Sequence, residues 1–299
     1  MSKSLQINCI HANNGPGIFS KRLARSLLDL GVKFEQGAKN QLSIISGPYK
    51  KGLFNILRLD GLYFNPEHPE NLSIFECYKK ADHIIFQGEF CKAQYEAFTG
   101  IKKENTIIRN GVTSDFFIEP FQDKDLKKKR IVASASWRRH KRLEEIIACF
   151  DDPRLKNFEL HVLGGHDYWR GKYKPKNVNL YKFSDPSKLA SMYSQYDAMI
   201  HLSWLDWCPN TVVEALACGL PVLCSHNGGT KELVRDNGIV IKLEEDYIPG
   251  TEVDLTNPPE VDRNIIVEGL LKLVEIPKDF TRDDLRIENV AKQYYNILK

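Results

Sequence analysis

Two acids, Asp206 and Glu214, stand in the segment DWCPNTVVEALACGLP, where every other residue is apolar or neutral. Pro209 suits the first turn of a helix, because a missing N–H is harmless there. Gly219 serves as the helix stop, and Pro221 prevents continuation. The helix start then offers N–H groups near Asn210, Thr211 and Val212, and with the helix dipole these suit a phosphate. Glu214 lies about one turn in, where a carboxylate can accept hydrogen bonds from a sugar diol. Asp206 sits upstream in the loop, on the other side of that anion. The spacing describes a ligand with hydroxyl groups at both ends and phosphate between them, a nucleotide sugar. A capped amphipathic helix carrying ordinary surface acids accounts for the same residues.

Three further segments carry candidate phosphate chemistry. ASASWRRHKRLEEII (Ala133 to Ile147) reads as strand, turn and helix, with Arg138, Arg139, His140, Lys141 and Arg142 in the turn. Fixed cations at a strand end suit a diphosphate, although charge runs are more often solvated turns. HANNGPGIFSKRLARSL (His11 to Leu27) places Gly15 and Gly17 in a loop between strand and helix, where bare backbone could approach a phosphate. It lacks the full dinucleotide fingerprint and the ribose-binding acid about 20 residues on. SHNGGTKELV (Ser225 to Val234) is another strand–loop–helix unit, with Gly228-Gly229 in a tight turn.

These segments need a scaffold, and the chain supplies strand–helix alternation almost throughout. Strands are expected in LQINCI, LSIIS, NILRLDG, HIIFQG and NTIIRNG, then in RIVASAS, FELHVLGG, NVNLYKF, AMIHLS, PVLCS and GIVIK. Helices are expected near residues 19–30, 71–79, 90–98, 142–150, 186–194, 211–218, 230–234, 261–274 and 282–298. Such alternation means parallel sheets covered on both faces. FIEPFQDKDLKKKR (Phe117 to Arg130) is charged and aperiodic and reads as a linker. Its Asp123-Lys124-Asp125 matches an acid-x-acid metal pattern only weakly, because no apolar strand precedes it. The expectation is an N-terminal domain over 1–122, a second over 123–281 and a terminal helix over 282–299. A ligand would bind in the cleft between the domains, outside the carboxyl ends of the strands. Arg58 and Asp60 follow a first-domain strand and could orient an acceptor; an Asp-Gly turn explains Asp60 equally well. Phe183 and Leu189 flank a strand-to-helix turn where a donor base could stack.

Composition narrows the function. The 299 residues are 42% hydrophobic and 27% charged, with a net charge of +3, which fits a globular protein and gives no general basis for binding nucleic acid. Seven cysteines are odd in number and show no zinc spacing. They read as reduced core thiols in a cytoplasmic setting. No apolar stretch reaches the roughly 18 residues of a membrane span. FSKRLARSLLDLG (Phe19 to Gly31) is a basic amphipathic helix that leaves peripheral membrane contact open.

Taken in order, NNGPG (Asn13–Gly17), NGVTSDFF (Asn110–Phe117), WRRHKRL (Trp137–Leu143), DWCPNTVVEALACGLPV (Asp206–Val222) and GGTKEL (Gly228–Leu233) resemble the retaining GT-B glycosyltransferases of the family 4, or glycosyl transferases group 1, type. The likeness spans nearly the whole chain, and EALACGLPV is its most specific part. It implies two Rossmann-like, doubly wound domains facing each other across a cleft, with a C-terminal helix returning to the first. By position, Glu214 would bind the donor ribose and Lys141 the diphosphate. Asp206 stands where the family has glutamate, near the donor sugar hydroxyls. Ser136 replaces the family's arginine before the lysine, with Arg138 as substitute. Trp207-Cys208-Pro209 replaces the usual glycines of the donor loop. The implied reaction moves a sugar from a nucleoside diphosphate to a glycan, lipid or other hydroxyl acceptor, with retention and with no metal or other cofactor. A nucleotide-sugar epimerase, a non-catalytic nucleotide-sugar-binding protein and a transferase acting on modified DNA are the competing readings.

Overall fold

The computed structural model describes residues 3–8, 15–35, 37–118, 128–182 and 185–299. In chain order the first strands and helices are β1 (Ser4–Ile7), α1 (Gly15–Asp29), β2 (Lys33–Phe34), β3 (Asn40–Ile44), β4 (Phe54–Leu59), α2 (Pro69–Lys80), β5 (His83–Phe86), α3 (Glu89–Thr99) and β6 (Asn105–Ile107). Then come β7 (Lys129–Ser134), α4 (Leu143–Cys149), β8 (Phe158–Leu163), β9 (Val178–Leu180), α5 (Leu189–Tyr193), β10 (Ala198–His201), α6 (Asn210–Ala217), β11 (Val222–Ser225), α7 (Thr230–Val234), β12 (Gly238–Ile241), α8 (Arg263–Leu273) and α9 (Ile287–Ile297).

The strands form two six-stranded sheets, ordered β2-β1-β3-β4-β5-β6 and β12-β11-β10-β7-β8-β9, and every pairing is parallel. In each sheet the strand order reverses beside the first strand of its half, as in a doubly wound fold. The short apolar runs explain the burial. All residues of β5 (HIIF), β10 (AMIH) and β11 (VLCS) are buried, as expected of strands covered on both faces. The two-residue edge strand β2 has no counterpart among the expected strands, because Lys33-Phe34 is too short to show a period.

The chain divides into two compact units. One contains residues 1–113, 248–253 and 283–299, and the other residues 114–247 and 254–282. The C-terminal helix α9 belongs to the first unit. Its Val290, Ala291 and Tyr294 pack with Phe19, Leu23 and Leu27 of α1, and each fully buried aliphatic side chain there stabilises the fold by about 1.5–3 kcal/mol before entropy is counted. Val112 and Ile287 anchor its start: Val112 N–H donates to Leu285 O and Ile287 N–H to Val112 O, both at 2.9 Å. Gly111 permits that approach, since a Cβ there would meet Val290 Cγ2 at 2.8 Å. No described helix is long and apolar enough to cross a membrane.

Candidate functional site

The turn after β7 sets Lys141 against Asp206. Trp137 Nε1 donates to Leu163 O at 2.9 Å and pins the turn to the end of β8. A 3-10 turn over Arg139–Lys141 follows, and Arg142 adopts φ 58° before α4 begins. The run of basic residues expected to act together is divided by the fold. Arg139 pairs with Glu145 at 2.6 Å. Arg142 is buried against Glu244. Burial pushes the His140 imidazole down to about 4, and the Lys141 charge adds to this, so His140 is neutral at pH 7. Lys141 bonds to Asp206, and Arg138 lies exposed at the head of the turn.

Asp206 lies in the loop after β10 and collects partners from three directions. One carboxylate oxygen, Oδ2, faces Lys141 Nζ and, at 3.0 Å, His201 Nε2. The other, Oδ1, accepts from Trp207 N–H at 3.0 Å. Burial alone would raise the Asp206 carboxyl, but Lys141 and then the hydrogen bond from His201 outweigh it and hold it well below the usual range. Burial keeps His201 neutral. With Asp206 ionised, the imidazole proton must sit on Nε2 for that bond to form. Sequence reasoning missed His201; its signal is a single polar residue closing a fully buried apolar strand.

Two glycines let the next loop close on this one. Gly229 N–H donates to Asp206 O at 2.7 Å. A Cβ at Gly229 would meet Trp207 O at 2.0 Å, and one at Gly228 (φ 88°) would meet Asp206 O at 2.7 Å. Gly228-Gly229 is therefore required by backbone-on-backbone contact, beyond the needs of a turn.

Helix α6 opens at Asn210 with Pro209 as its cap residue, one position earlier in role than expected, and no side chain caps it. Val212 N–H turns back onto Pro209 O at 3.0 Å, so it is not among the amides left for a ligand. A tight first turn of this kind consumes the third donor. Thr211 is half-buried at this helix start and Cys208 is buried. Glu214 is buried one turn in, where its charge helps to raise the Tyr193 phenol and the Cys218 thiol after the larger effect of burial. Leu189 is half-buried at the first position of α5. Phe183 lies outside the described residues, as do Asn13, Asn14, Asp123 and Asp125. The loop expected at Gly15 and Gly17 is helical instead. Both fall in the first turn of α1, which begins four residues before Phe19, because Ser20 Oγ bonds back to Pro16 O and the apolar stripe starts early.

The first unit has its own polar cluster where β4, β5 and β6 end. Arg58 is fully buried; it bonds to Asp60 and Asn110, and its guanidinium lies 4.0 Å from the Phe19 ring centroid. Gln87 Nε2 also donates to Asp60 Oδ1, at 3.1 Å. Asp60 thus belongs to a side-chain network and does more than close a turn. Gln87 escapes the sequence reading, and Asn110 enters it only as the head of the NGVTSDFF segment, although each is a polar residue just past an apolar run.

Among the described residues, no group of three or more His, Cys, Asp and Glu is gathered to hold a metal ion.

The fold is of the GT-B type. The chain is similar over 99% of its length to sucrose-phosphate synthase from Thermosynechococcus elongatus (TM-score 0.74, 14% identity, 98% of that chain). It is also similar over 99% of its length to Anabaena Alr3699/HepE in complex with UDP-glucose (TM-score 0.66, 14% identity, 99% of that chain). At such identity the likeness shows the fold. Residues 115–247, within the second unit, match the family described as Glycosyl transferases group 1. Over 143 residues, 46% of this chain, it is 26% identical to the Escherichia coli (strain K12) protein described as "Putative colanic acid biosynthesis glycosyl transferase WcaC". Spore coat protein SA of Bacillus subtilis (strain 168) is 27% identical over 95 residues, 31% of this chain. These matches span 33% and 24% of the lengths of those two relatives.

Proposed function

We propose that this protein transfers a sugar from a nucleoside-diphosphate sugar to an acceptor hydroxyl, with retention of anomeric configuration and without a metal. The observation that carries the reading is the Lys141–Asp206 pair at the carboxyl ends of β7 and β10, in the loop that leads into the uncapped start of α6. An ammonium and a helix start together can neutralise a leaving diphosphate. Asp206 keeps Lys141 aimed until the diphosphate takes its place. Arg138 supplies a second, exposed cation. Asn210 and Thr211 line the phosphate side, Cys208 and Pro209 shape the sugar side, and Glu214 grips the ribose. Leu189 flanks the base.

In the first unit, Asp60 is proposed to orient the acceptor hydroxyl of a glycan or lipid. A UDP-sugar is the first donor to try, because HepE is solved with UDP-glucose. No side chain is assigned as a nucleophile, so attack from the leaving-group face, with the departing phosphate taking the proton, explains retention. Thermal-shift measurements across UDP-, GDP-, ADP- and dTDP-sugars test the donor. NMR of the product's anomeric proton, in buffer containing EDTA, tests retention and metal independence. An inverted product, or activity abolished by EDTA and restored by a divalent cation, defeats those parts. No stabilisation by any nucleotide sugar defeats the whole.

A further inference from the structure

Lys141 and Arg142 are adjacent cations, each facing a carboxylate, yet they sit in different surroundings. The Lys141 and Asp206 side chains are 16% and 13% exposed; those of Arg142 and Glu244 are 0% and 3% exposed. Arg142 also holds φ 58°, the left-handed region that ordinarily calls for glycine. A bulky, fully buried, charged residue in that conformation must be held there by its surroundings. Its Nη1 donates to Glu244 Oε2 at 2.9 Å, and Nη2 donates to Pro259 O at 3.2 Å.

The second oxygen of Glu244 reaches a different loop. Oε1 accepts from Ser225 Oγ at 3.1 Å and from Asn227 Nδ2 at 2.9 Å. Asn227 is itself fixed, since Nδ2 also donates to Glu245 O at 2.8 Å and Oδ1 accepts from Tyr247 N–H at 2.9 Å. Gly228 and Gly229 come next in the chain, and Gly229 N–H holds Asp206 O. One carboxylate therefore ties the residue after Lys141 to the residue before the glycines. Both of these segments end on Asp206, one through the Lys141 side chain and one through the Gly229 amide.

We propose that Arg142 and Glu244 are a positioning pair: Glu244, shared between the two loops, fixes the backbone from which Lys141 is aimed and the glycine loop that seats Asp206. The assignment of Lys141 as the diphosphate ligand rests on the function proposed above; the coupling of the two loops does not. A role for Arg142 confined to its own backbone conformation predicts the opposite of this proposal for Arg142→Gly. Glycine suits φ 58° better than arginine, so that variant would be as active as the wild type.

The test uses the full chain with four variants: Arg142→Gly, Arg142→Lys, Glu244→Gln, and the double change Arg142→Leu with Glu244→Leu. Backbone amide exchange is followed over 139–142 and 225–230, and transfer from the nucleotide sugar found by thermal shift gives kcat and donor KM. We expect Arg142→Gly and Glu244→Gln to speed exchange in both segments by about tenfold and to lower kcat by about tenfold to a hundredfold. Arg142→Lys should recover part of both. The double variant removes both buried charges together, so its melting temperature should fall less than that of Arg142→Gly or Glu244→Gln, while exchange and kcat remain altered. It keeps the test decisive if a single variant fails to fold. Wild-type exchange in 225–230 for Arg142→Gly or for the double variant would overturn the proposal. If the wild type binds no nucleotide sugar, the proposed function falls, and the exchange measurement alone still decides the coupling.

Discussion

The two sheets solve the same local problem in opposite ways. In each, a strand in the middle of the order, β4 or β7, leads into a cation facing a carboxylate. In the first unit the cation is hidden: Arg58 is fully buried and the Asp60 side chain keeps 17% of its surface. In the second unit both partners, Lys141 and Asp206, stay partly open. A buried guanidinium cannot leave its carboxylate, so the first cluster presents a fixed negative group. An ammonium on a flexible stem that keeps some contact with water can exchange a carboxylate for a phosphate. The difference is what the proposed function draws on in giving the first unit a hydroxyl to hold and the second an anion.

Removing Lys141 should break the comparison most severely. Lys141→Ala is expected to lower kcat by about a hundredfold or more, the scale seen when one preorganised charge-stabilising donor is lost. Steady-state transfer kinetics measure it, and wild-type turnover would remove the diphosphate role. Next in size is the contrast between the two carboxylates. Asp60→Asn leaves a fully buried arginine without its counter-charge and should cost about 3–5 kcal/mol of stability. Asp206→Asn leaves a lysine whose side chain is 16% exposed, against none of Arg58, and should cost less. Urea unfolding of the two variants compares them directly, and equal losses would mean that burial does not separate the two pairs.

Smaller again is the ribose contact. Glu214→Ala should weaken nucleoside-diphosphate binding by about tenfold, the size of one charged hydrogen bond, with the fold retained. Calorimetry reads it. A further effect, on stability and not on binding, is pH-dependent. His140 has a folded value of about 4, below its ordinary 6.5, with burial as the main cause. Its unfolded form therefore binds the extra proton first as pH falls. Stability should be complete above about 6.5 and decline toward 4, by about 2 kcal/mol from this group. His140→Asn should flatten that part of the profile, and an unchanged slope would count against burial of the neutral ring.

How much of the fold and the site is legible in the sequence depends on range. The runs HIIF, AMIH and VLCS announce buried parallel strands, and Gly219 with Pro221 announces the end of α6. Those signals are local, because period and backbone sterics act within a few residues. The boundaries move where tertiary contacts decide them, as at Gly15, where α1 begins early. The basic turn is the least legible part. Its residues are alike in type, and only the partners they meet in the fold separate Arg139 and Arg142, committed to glutamates, from Lys141, which faces Asp206. The glycines of the loop after β11 are visible in the sequence, but the Asp206 and Trp207 carbonyls that demand them are not.

The sequence by itself determined the alternation of strands and helices, the doubly wound sheets, and the candidate chemistry at strand ends. Those properties follow from hydrophobic period and from residue type, which are written in order along the chain. Only the tertiary structure decided which charge faces which. Lys141 and Asp206 lie 65 positions apart, and Arg142 and Glu244 lie 102 apart. Whether a cation is held or released depends on how much water each pair is denied, a quantity that packing alone supplies.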